Sequence, residues 1–341
     1  MVFSYYLKYP IYNILWHIVK YFRWKKNKNI LYCEDAFDAF LFQNVGIYLQ
    51  KIEIVAKNRK VKRDLINKGY TNIKLMPSFP DSVIMFRNMA WKFPCKNIIK
   101  IGFTHGAFNF KKHSKPNYYN MFDLFFLTST TELDRVRKLG VTTKLAVAYP
   151  KIDSINKTLS SILPQNYNKD KKTILFSATW DKSGMSAIHK WYSKISLLAN
   201  RFNIFVTVHD WTSKKYVTEL KNNPNVFFIE EFDRLKYIQI ADICVNDTSS
   251  LIAECCLLNK PLITFRINNT ERTLNDVIMM IEKISIRIDE FEEIEAAIDL
   301  LLANKDMFDK ERKEISEIFF DKPDFLSGKR AAELIKSIIS S

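Results

Sequence analysis

From Ile30 onward, short runs rich in β-branched and aromatic residues alternate with helix-like stretches, and this alternation limits the chain to a parallel-sheet α/β fold. The strand-like runs are Ile30 to Tyr32, Ile52 to Ala56, Ile73 to Met76, Ile98 to Phe103, Leu124 to Leu127 and Leu145 to Ala148. Phe37 to Leu49, Lys60 to Lys68 and Thr131 to Leu139 have helical spacing between them. A polar stretch from Asp153 to Lys172 breaks the pattern, and a second series begins at Thr173. Its strands are expected at Ile174 to Ser177, Ile204 to Val208, Val226 to Ile229, Ile243 to Val245 and Leu262 to Phe265. Its helices are expected near Ser186 to Asn200, Ser213 to Asn222 and Ser249 to Leu258. The expected organisation is a Rossmann-like domain over 29–155, a linker over 156–172 and a second such domain over 173–341, its last helix able to return to the first. Two domains of this kind face a cleft, with strand carboxyl ends turned to the ligand.

The 341 residues, 47% of them hydrophobic, exclude disorder and disulfide-stapled miniproteins. Against 37 Asp plus Glu stand 52 Lys plus Arg, a net charge of +15 that favours anionic partners without choosing among them. With only 7 glycines, a phosphate site built on a glycine-rich loop is not expected. Cys33, Cys95, Cys244, Cys255 and Cys256 form no C-x-x-C pair and read as reduced packing residues. No histidine pair or cysteine-histidine array has zinc spacing and no D-x-D is present, so neither metal nor cofactor is expected.

Residues 1–28 read as an amphipathic segment. Ile11, Ile14, Leu15, Ile18, Val19 and Phe22 share one face, tyrosines and tryptophans crowd the segment, and Arg23, Lys25, Lys26 and Lys28 follow with no acid before Glu34. The uncharged run between Lys8 and Lys20 is well short of the ~20 residues that a bilayer span needs, and no signal-peptide cleavage site follows. Two readings stand: a helix in the interface of an anionic membrane on its cytoplasmic side, or a helix packed on the first domain.

Polar residues cluster where strands end. Ile98 to Phe103 runs into Thr104-His105-Gly106, Phe205 to Val208 into His209, and Ile243 to Val245 into Asn246-Asp247-Thr248-Ser249-Ser250 and a helix. The free N–H groups of a helix start, with nearby hydroxyls, suit a phosphate. The same residues serve equally as a helix cap through Asp247 or Thr248. His105 and His209, one from each half, are candidates for proton transfer or anion binding.

In order and spacing these elements resemble the CDP-glycerol glycerophosphotransferase family of bacterial teichoic acid and capsule polymer transferases. Thr104-His105-Gly106-Ala107 resembles its His-Gly-Thr element, and Ala148-Tyr149-Pro150-Lys151-Ile152-Asp153 its Gly-Tyr-Pro-Arg-Asn-Asp element. Ile174 to Trp180 is similar to its strand ending in Pro-Thr-Trp, and Val208-His209 to its His-Pro motif, with Asp210 in place of the proline. Ala241-Asp242, Asn246 to Ser250 and Asn259-Lys260-Pro261 are similar to its Ala-Asp, Thr-Asp-Tyr-Ser-Ser and Asn-Lys-Pro run.

The resemblance implies a GT-B-like fold, a peripheral place on the inner face of the cell membrane, and transfer of a polyol phosphate from a CDP-activated donor to a glycan or lipid-linked acceptor, with release of CMP. It implies His105 as the base. His209, Thr179, Asp247, Thr248, Ser249 and Ser250 are implied on the nucleotide and phosphate side, with Lys151 adding charge at the domain junction. Two rivals remain at this point. A GT-B glycosyltransferase using a nucleotide sugar would take Glu254 as its ribose contact. A non-catalytic basic protein for acidic lipid or nucleic acid explains the charge, although no nucleic-acid motif is present and a nucleic-acid partner is not expected.

Overall fold

The computed structural model describes residues 2–23, 27–108, 110, 115–155, 163–230, 232–267, 273–304, 307–321 and 323–339. Trp24, Lys25 and Lys26 of the basic cluster, Lys111 to His113, and 156–162 of the expected linker lie outside these. The chain divides into two units. The first comprises Met1–His105, Ser114–Ser154 and Pro323–Ser341; the second comprises Gly106–His113 and Ile155–Lys322.

In chain order the first unit holds α1 (Val2–Phe22), β1 (Asn29–Cys33), α2 (Ala36–Gly46), β2 (Ile52–Ala56), α3 (Arg59–Asn67), β3 (Lys74–Leu75), β4 (Ser82–Met85), β5 (Ile99–Phe103), α4 (Pro116–Tyr119), β6 (Leu124–Leu127), α5 (Thr130–Arg137) and β7 (Lys144–Val147). Its sheet is parallel throughout, in the order β3-β2-β1-β4-β5-β6-β7. The central strand β4 was not among the expected strands. Its apolar run is only Val83 to Phe86 and follows Pro77 and Pro80, so locally it reads as the tail of a turn.

Helix α1 docks on this unit through aromatic side chains. Trp16 is 2% exposed and donates through Nε1 to the Pro80 carbonyl at 2.5 Å, Tyr12 donates to the Ser78 carbonyl at 2.6 Å, and Lys20 and Arg23 hold Asp81 at 3.0 and 2.9 Å. At 100° per residue, Ile11, Ile14, Ile18 and Phe22 fall on the far side from Trp16. They stay 63%, 59%, 47% and 79% exposed. The helix is therefore packed on the first unit through its aromatic side, and Ile11, Ile14, Ile18 and Phe22 of the apolar stripe are left exposed.

The unit closes with α13 (Ser327–Ile339), which docks on α2 and on the turn after β7. Asp153 accepts from Ser327 N at 3.1 Å and Gly328 N at 2.7 Å, two amides that a helix start leaves unpaired, and Ser327 Oγ accepts from Tyr149 N at 2.7 Å. Ala331, Ala332 and Ile335 of α13 are fully buried. The Tyr-Pro-Lys-Ile-Asp element is thus the socket of a helix about 170 residues further along the chain.

The second unit runs β8 (Lys172–Ala178), α6 (Ile188–Trp191), β9 (Phe202–Val208), α7 (Lys214–Asn222), β10 (Phe227–Phe228), α8 (Leu235–Ile240), β11 (Ile243–Asn246), α9 (Leu251–Leu257), β12 (Leu262–Phe265), α10 (Asn275–Ile284), β13 (Ile286–Ile288), α11 (Ile294–Ala303) and α12 (Asp309–Phe320). Its parallel sheet, β10-β9-β8-β11-β12-β13, repeats the strand order of the first unit apart from that unit's seventh strand. The helix expected over Ser186 to Asn200 is split into α6 and a 3-10 turn, Ile195–Leu198. Its buried face, Ile188, Trp191, Ile195 and Leu198, nevertheless keeps helical spacing.

Two further elements of the resemblance serve the fold. Asp242 pins β8 to β11 by accepting from Thr173 N at 2.8 Å. Asn259, at φ +51°, ends α9 in the left-handed region that asparagine tolerates, and its amide oxygen accepts from the buried Arg312 at 3.0 Å. Residues 106–110, expected with the first half, belong to the second unit because Phe108 and Phe110 pack against Phe319 and Leu274 N donates to the Phe110 carbonyl. All five cysteines are free and buried, and burial pushes the Cys255 and Cys256 thiols up, away from redox or nucleophilic reactivity.

Candidate active site

In a doubly wound sheet the ligand crevice lies beyond the strand carboxyl ends where the strand order reverses. In the second unit that place is between β8 and β11. Thr179 and Trp180 follow β8, Asp247 to Ser250 follow β11, and His209 follows the neighbouring β9.

Asp247 is the organiser of this edge. It is fully buried and accepts from Thr179 N at 3.0 Å, Ala187 N at 3.2 Å and Thr248 N at 2.6 Å. Through those amides its oxygens tie the β8 loop to the end of β11. Thr179, 8% exposed, is one of the groups it holds. Burial raises the Asp247 carboxyl to about 6, against the pull of the three amides. A carboxyl raised in the folded state favours folding fully below its unfolded value near 3.8, and that contribution is lost as pH rises through about 6. Denaturant titrations between pH 4 and 7 should show stability falling as pH rises, with a contribution of up to about 1.4 kcal/mol per pH unit from Asp247 that Asp247→Asn subtracts from the slope.

The capping reading of Asp247 and Thr248 does not hold, since α9 starts after Ser250 with no side-chain cap. Thr248 Oγ1 donates to the Met185 carbonyl at 2.9 Å, and Ser249 Oγ accepts from Leu251 N at 3.3 Å. Ser250 Oγ lies 3.2 Å from the point a Cβ on Gly106 would occupy. Ser249 and Ser250 are half-buried at this edge. Glu254, on the first turn of α9, is 2% exposed.

The ring of His209 is oriented by its own loop. Trp211 N donates to Nδ1 at 3.1 Å, so in the neutral imidazole the proton sits on Nε2 and that nitrogen is a donor. Asp210, where the family has proline, pairs with Arg234 at 2.9 Å, and Asp181 accepts from Ser213 N at 2.9 Å. Trp211, 59% exposed, meets Trp180 edge to face at 5.6 Å. The Arg234 and Asp181 locks were not legible in sequence, since each joins residues 24 or more apart with no motif between them. Asp210 in the place of the proline was the one local signal.

In the first unit, His105 is exposed just beyond β5, where Thr104 N donates to the Phe126 carbonyl and ends the strand. Lys151 is 6% exposed in the socket turn of α13, so it is not a surface charge. The structure thus gathers His209, Ser249 and Ser250 on one strand edge and keeps Asp247, Thr179, Glu254 and Lys151 within the packing. His105 is joined to the second unit by one peptide bond, to Gly106.

Two Rossmann-like units in one chain, each built on a parallel sheet, define a GT-B-like α/β protein. Residues 110–337 match the model of the CDP-glycerol:poly(glycerophosphate) glycerophosphotransferase family, and the chain belongs to that family. It is accordingly a transferase of the CDP-glycerol class. Among solved structures it is similar to a histidine variant of the wall teichoic acid polymerase TagF, at 13% identity and TM-score 0.72 over 92% of this chain and 90% of that one. The same polymerase soaked with CDPG matches at 14% identity and TM-score 0.71, over 92% and 89%. S. aureus MnaA bound to UDP matches at 13% identity and TM-score 0.61, over 92% and 97%. No curated protein matches the chain.

Proposed function

We propose that the chain transfers a glycerol phosphate or similar polyol phosphate from its CDP-activated donor to a hydroxyl of a lipid-linked or cell-envelope glycan acceptor, as in teichoic acid or capsule polymer synthesis. The observation that supports this reading is the carboxyl edge of the second sheet, where His209, its Nδ1 accepting from Trp211 N, follows β9, and Ser249 and Ser250 follow β11. Those groups bind the donor pyrophosphate and stabilise the charge that develops on leaving CMP. His105 takes the proton of the acceptor hydroxyl as its oxygen attacks the polyol-bearing phosphorus. The bond from that phosphorus to the bridging oxygen breaks, and CMP departs with the electron pair.

Incubation with CDP-glycerol, CDP-ribitol and a panel of UDP-sugars tests the reading. CMP release with CDP-glycerol or CDP-ribitol and an acceptor is the expected result, and nucleoside diphosphate release from a UDP-sugar overturns it. Replacing Ser249 and Ser250 together with alanine should weaken CMP binding by about 1–3 kcal/mol in calorimetry, since hydroxyl donors to a charged phosphate are lost. A fall in melting temperature with unchanged CMP affinity would make the pair structural.

The acceptor side of this reading places the protein on the inner face of the cell membrane. Among the described residues no helix is long and apolar enough to cross a bilayer. The outward stripe of α1, Ile11, Ile14, Ile18 and Phe22, is the kind of contiguous exposed apolar surface that enters a lipid interface. Replacing Ile14 and Ile18 with aspartate should abolish sedimentation with phosphatidylglycerol vesicles and leave the melting temperature unchanged, because neither side chain packs on the unit. Wild-type protein that ignores such vesicles at low salt would remove the membrane from the reading.

A further inference from the structure

Trp180 and Trp211 stand at the carboxyl edge of the second unit and have no part in the chemistry given above. Trp180 follows β8, and Trp211 follows β9 two residues after His209. The two indoles meet edge to face at 5.6 Å and 83°, and the Trp211 ring lies 5.4 Å from the His209 ring. At 59% exposure Trp211 is the most exposed tryptophan among the described residues, whereas Trp16 and Trp191 are buried. The turn that carries it is latched residue by residue. His209 N donates to the Ala178 carbonyl at 3.1 Å, Asp210 holds Arg234, Trp211 N donates to His209 Nδ1, Thr212 N donates to the His209 carbonyl at 2.8 Å, and Ser213 N donates to Asp181. On the other turn, Ser183 N donates to the Trp180 carbonyl at 2.9 Å. An aromatic surface fixed in this way loses little freedom when a ligand settles on it.

We infer that the Trp180–Trp211 corner is a stacking site for a sugar ring of the acceptor. The inference rests on the glycan-acceptor reading given above and narrows it to an acceptor that carries a cyclic sugar. The shape of the corner favours a puckered ring. Indoles set at 83° leave no parallel slot for a flat base to enter; they offer a face with a wall across it. A pyranose lays its C–H face on such a surface, where partly positive hydrogens meet the negative face of the indole, and turns its hydroxyls to the rim. Asp210, one residue before Trp211, supplies a rim acceptor. Its side chain is 43% exposed, Oδ1 accepts from Arg234, and Oδ2 accepts no hydrogen bond among the described residues. A sugar hydroxyl is the donor that such an oxygen lacks. A polyol phosphate chain fits poorly, because it has no ring to stack and the indole face repels its charge. Since Trp211 abuts His209, a sugar on this corner lies next to the phosphate that His209 is proposed to hold.

The test is ligand-observed NMR on the full chain, with the methyl glycosides of glucose, N-acetylglucosamine and galactose as probes and glycerol, ribitol and cytidine as controls. The expected result is saturable, millimolar binding of a glycoside and none of glycerol or ribitol, which have no ring face. Trp211→Ala should weaken that binding at least about tenfold, with CMP affinity within about twofold of wild type and the melting temperature unchanged, because the lost ring is mostly in solvent. Trp211→Phe keeps an aromatic face and should recover most of the binding. Failure of all the glycosides to saturate overturns the sugar site, and so does a Trp211→Ala protein that binds them as wild type does. Displacement of the glycoside by cytidine, with a matching loss of CMP affinity in Trp211→Ala, would make the corner a seat for the base and overturn it as well. Release of CMP from CDP-glycerol by a wild type that binds no glycoside sinks the sugar site alone. Glycoside binding through Trp211 in a protein that releases no CMP from CDP-glycerol removes the functional reading, and the acceptor assignment falls with it.

Discussion

Replacing His105 with alanine should lower transfer from CDP-glycerol by about two to four orders of magnitude, the usual contribution of a positioned general base, while CMP affinity stays near the wild-type value. The expectation follows from where the residue sits. His105 is exposed just past β5, on the chain that leads to Gly106, whereas His209, Ser249 and Ser250, the groups proposed for the donor, follow β9 and β11. A base that acts on the acceptor hydroxyl matters in the transition state and little in the donor complex. Steady-state rates and calorimetry on the same preparation decide the matter. A comparable loss of CMP affinity would make His105 a donor contact, and unchanged turnover would remove it from the chemistry altogether.

Gly328→Ala is expected to destabilise the first unit by about 3 kcal/mol or more, read from denaturant unfolding. A Cβ at this position would lie 2.1 Å from the Asn44 carbonyl oxygen, 2.7 Å from the Asn44 carbonyl carbon and 3.1 Å from Asp153 Oδ2. The first two are backbone atoms of α2, which cannot swing aside as a flexible side chain would. Relief requires α13 to lift, exposing Ala331, Ala332 and Ile335 and breaking the two amide bonds to Asp153. Ser337→Ala, on the outer part of the same helix, should be close to neutral. A Gly328→Ala protein as stable as wild type would show that α13 is not held against α2 as described.

The strand and helix alternation was enough to read both sheets, because buried parallel strands are runs of Val, Ile, Leu and Phe that stand out without tertiary information. What it lost were elements whose signal lies elsewhere in the chain. β4 is short and sits behind two prolines, yet it lies at the centre of its sheet, paired with β1 and β5. β13 is only three residues, Ile286–Ile288. The site was legible at its strand ends, since His105, His209 and Ser249-Ser250 each follow a recognisable apolar run. Sequence could not tell which polar residues there face a ligand. Asp247 looks as available as Ser250 in the string, and only its three amide partners reveal it as a tie within the unit. The amphipathic face of α1 was legible but its use was not, because Tyr12 and Trp16 dock through hydrogen bonds to carbonyls that no periodicity encodes.

The return of α13 to the first unit sets an order on the birth of the molecule. On the ribosome, every other helix and strand described above is synthesised before residues 327–339. The second unit has its whole sheet by then and is free to fold during synthesis, as domains generally do. The first unit, although its strands come first, waits with the surface of α2 and the Asp153 socket uncovered until translation has passed through its neighbour. For that interval the nascent chain offers chaperones an apolar seat on its earliest segment, while all of the second unit has already been made.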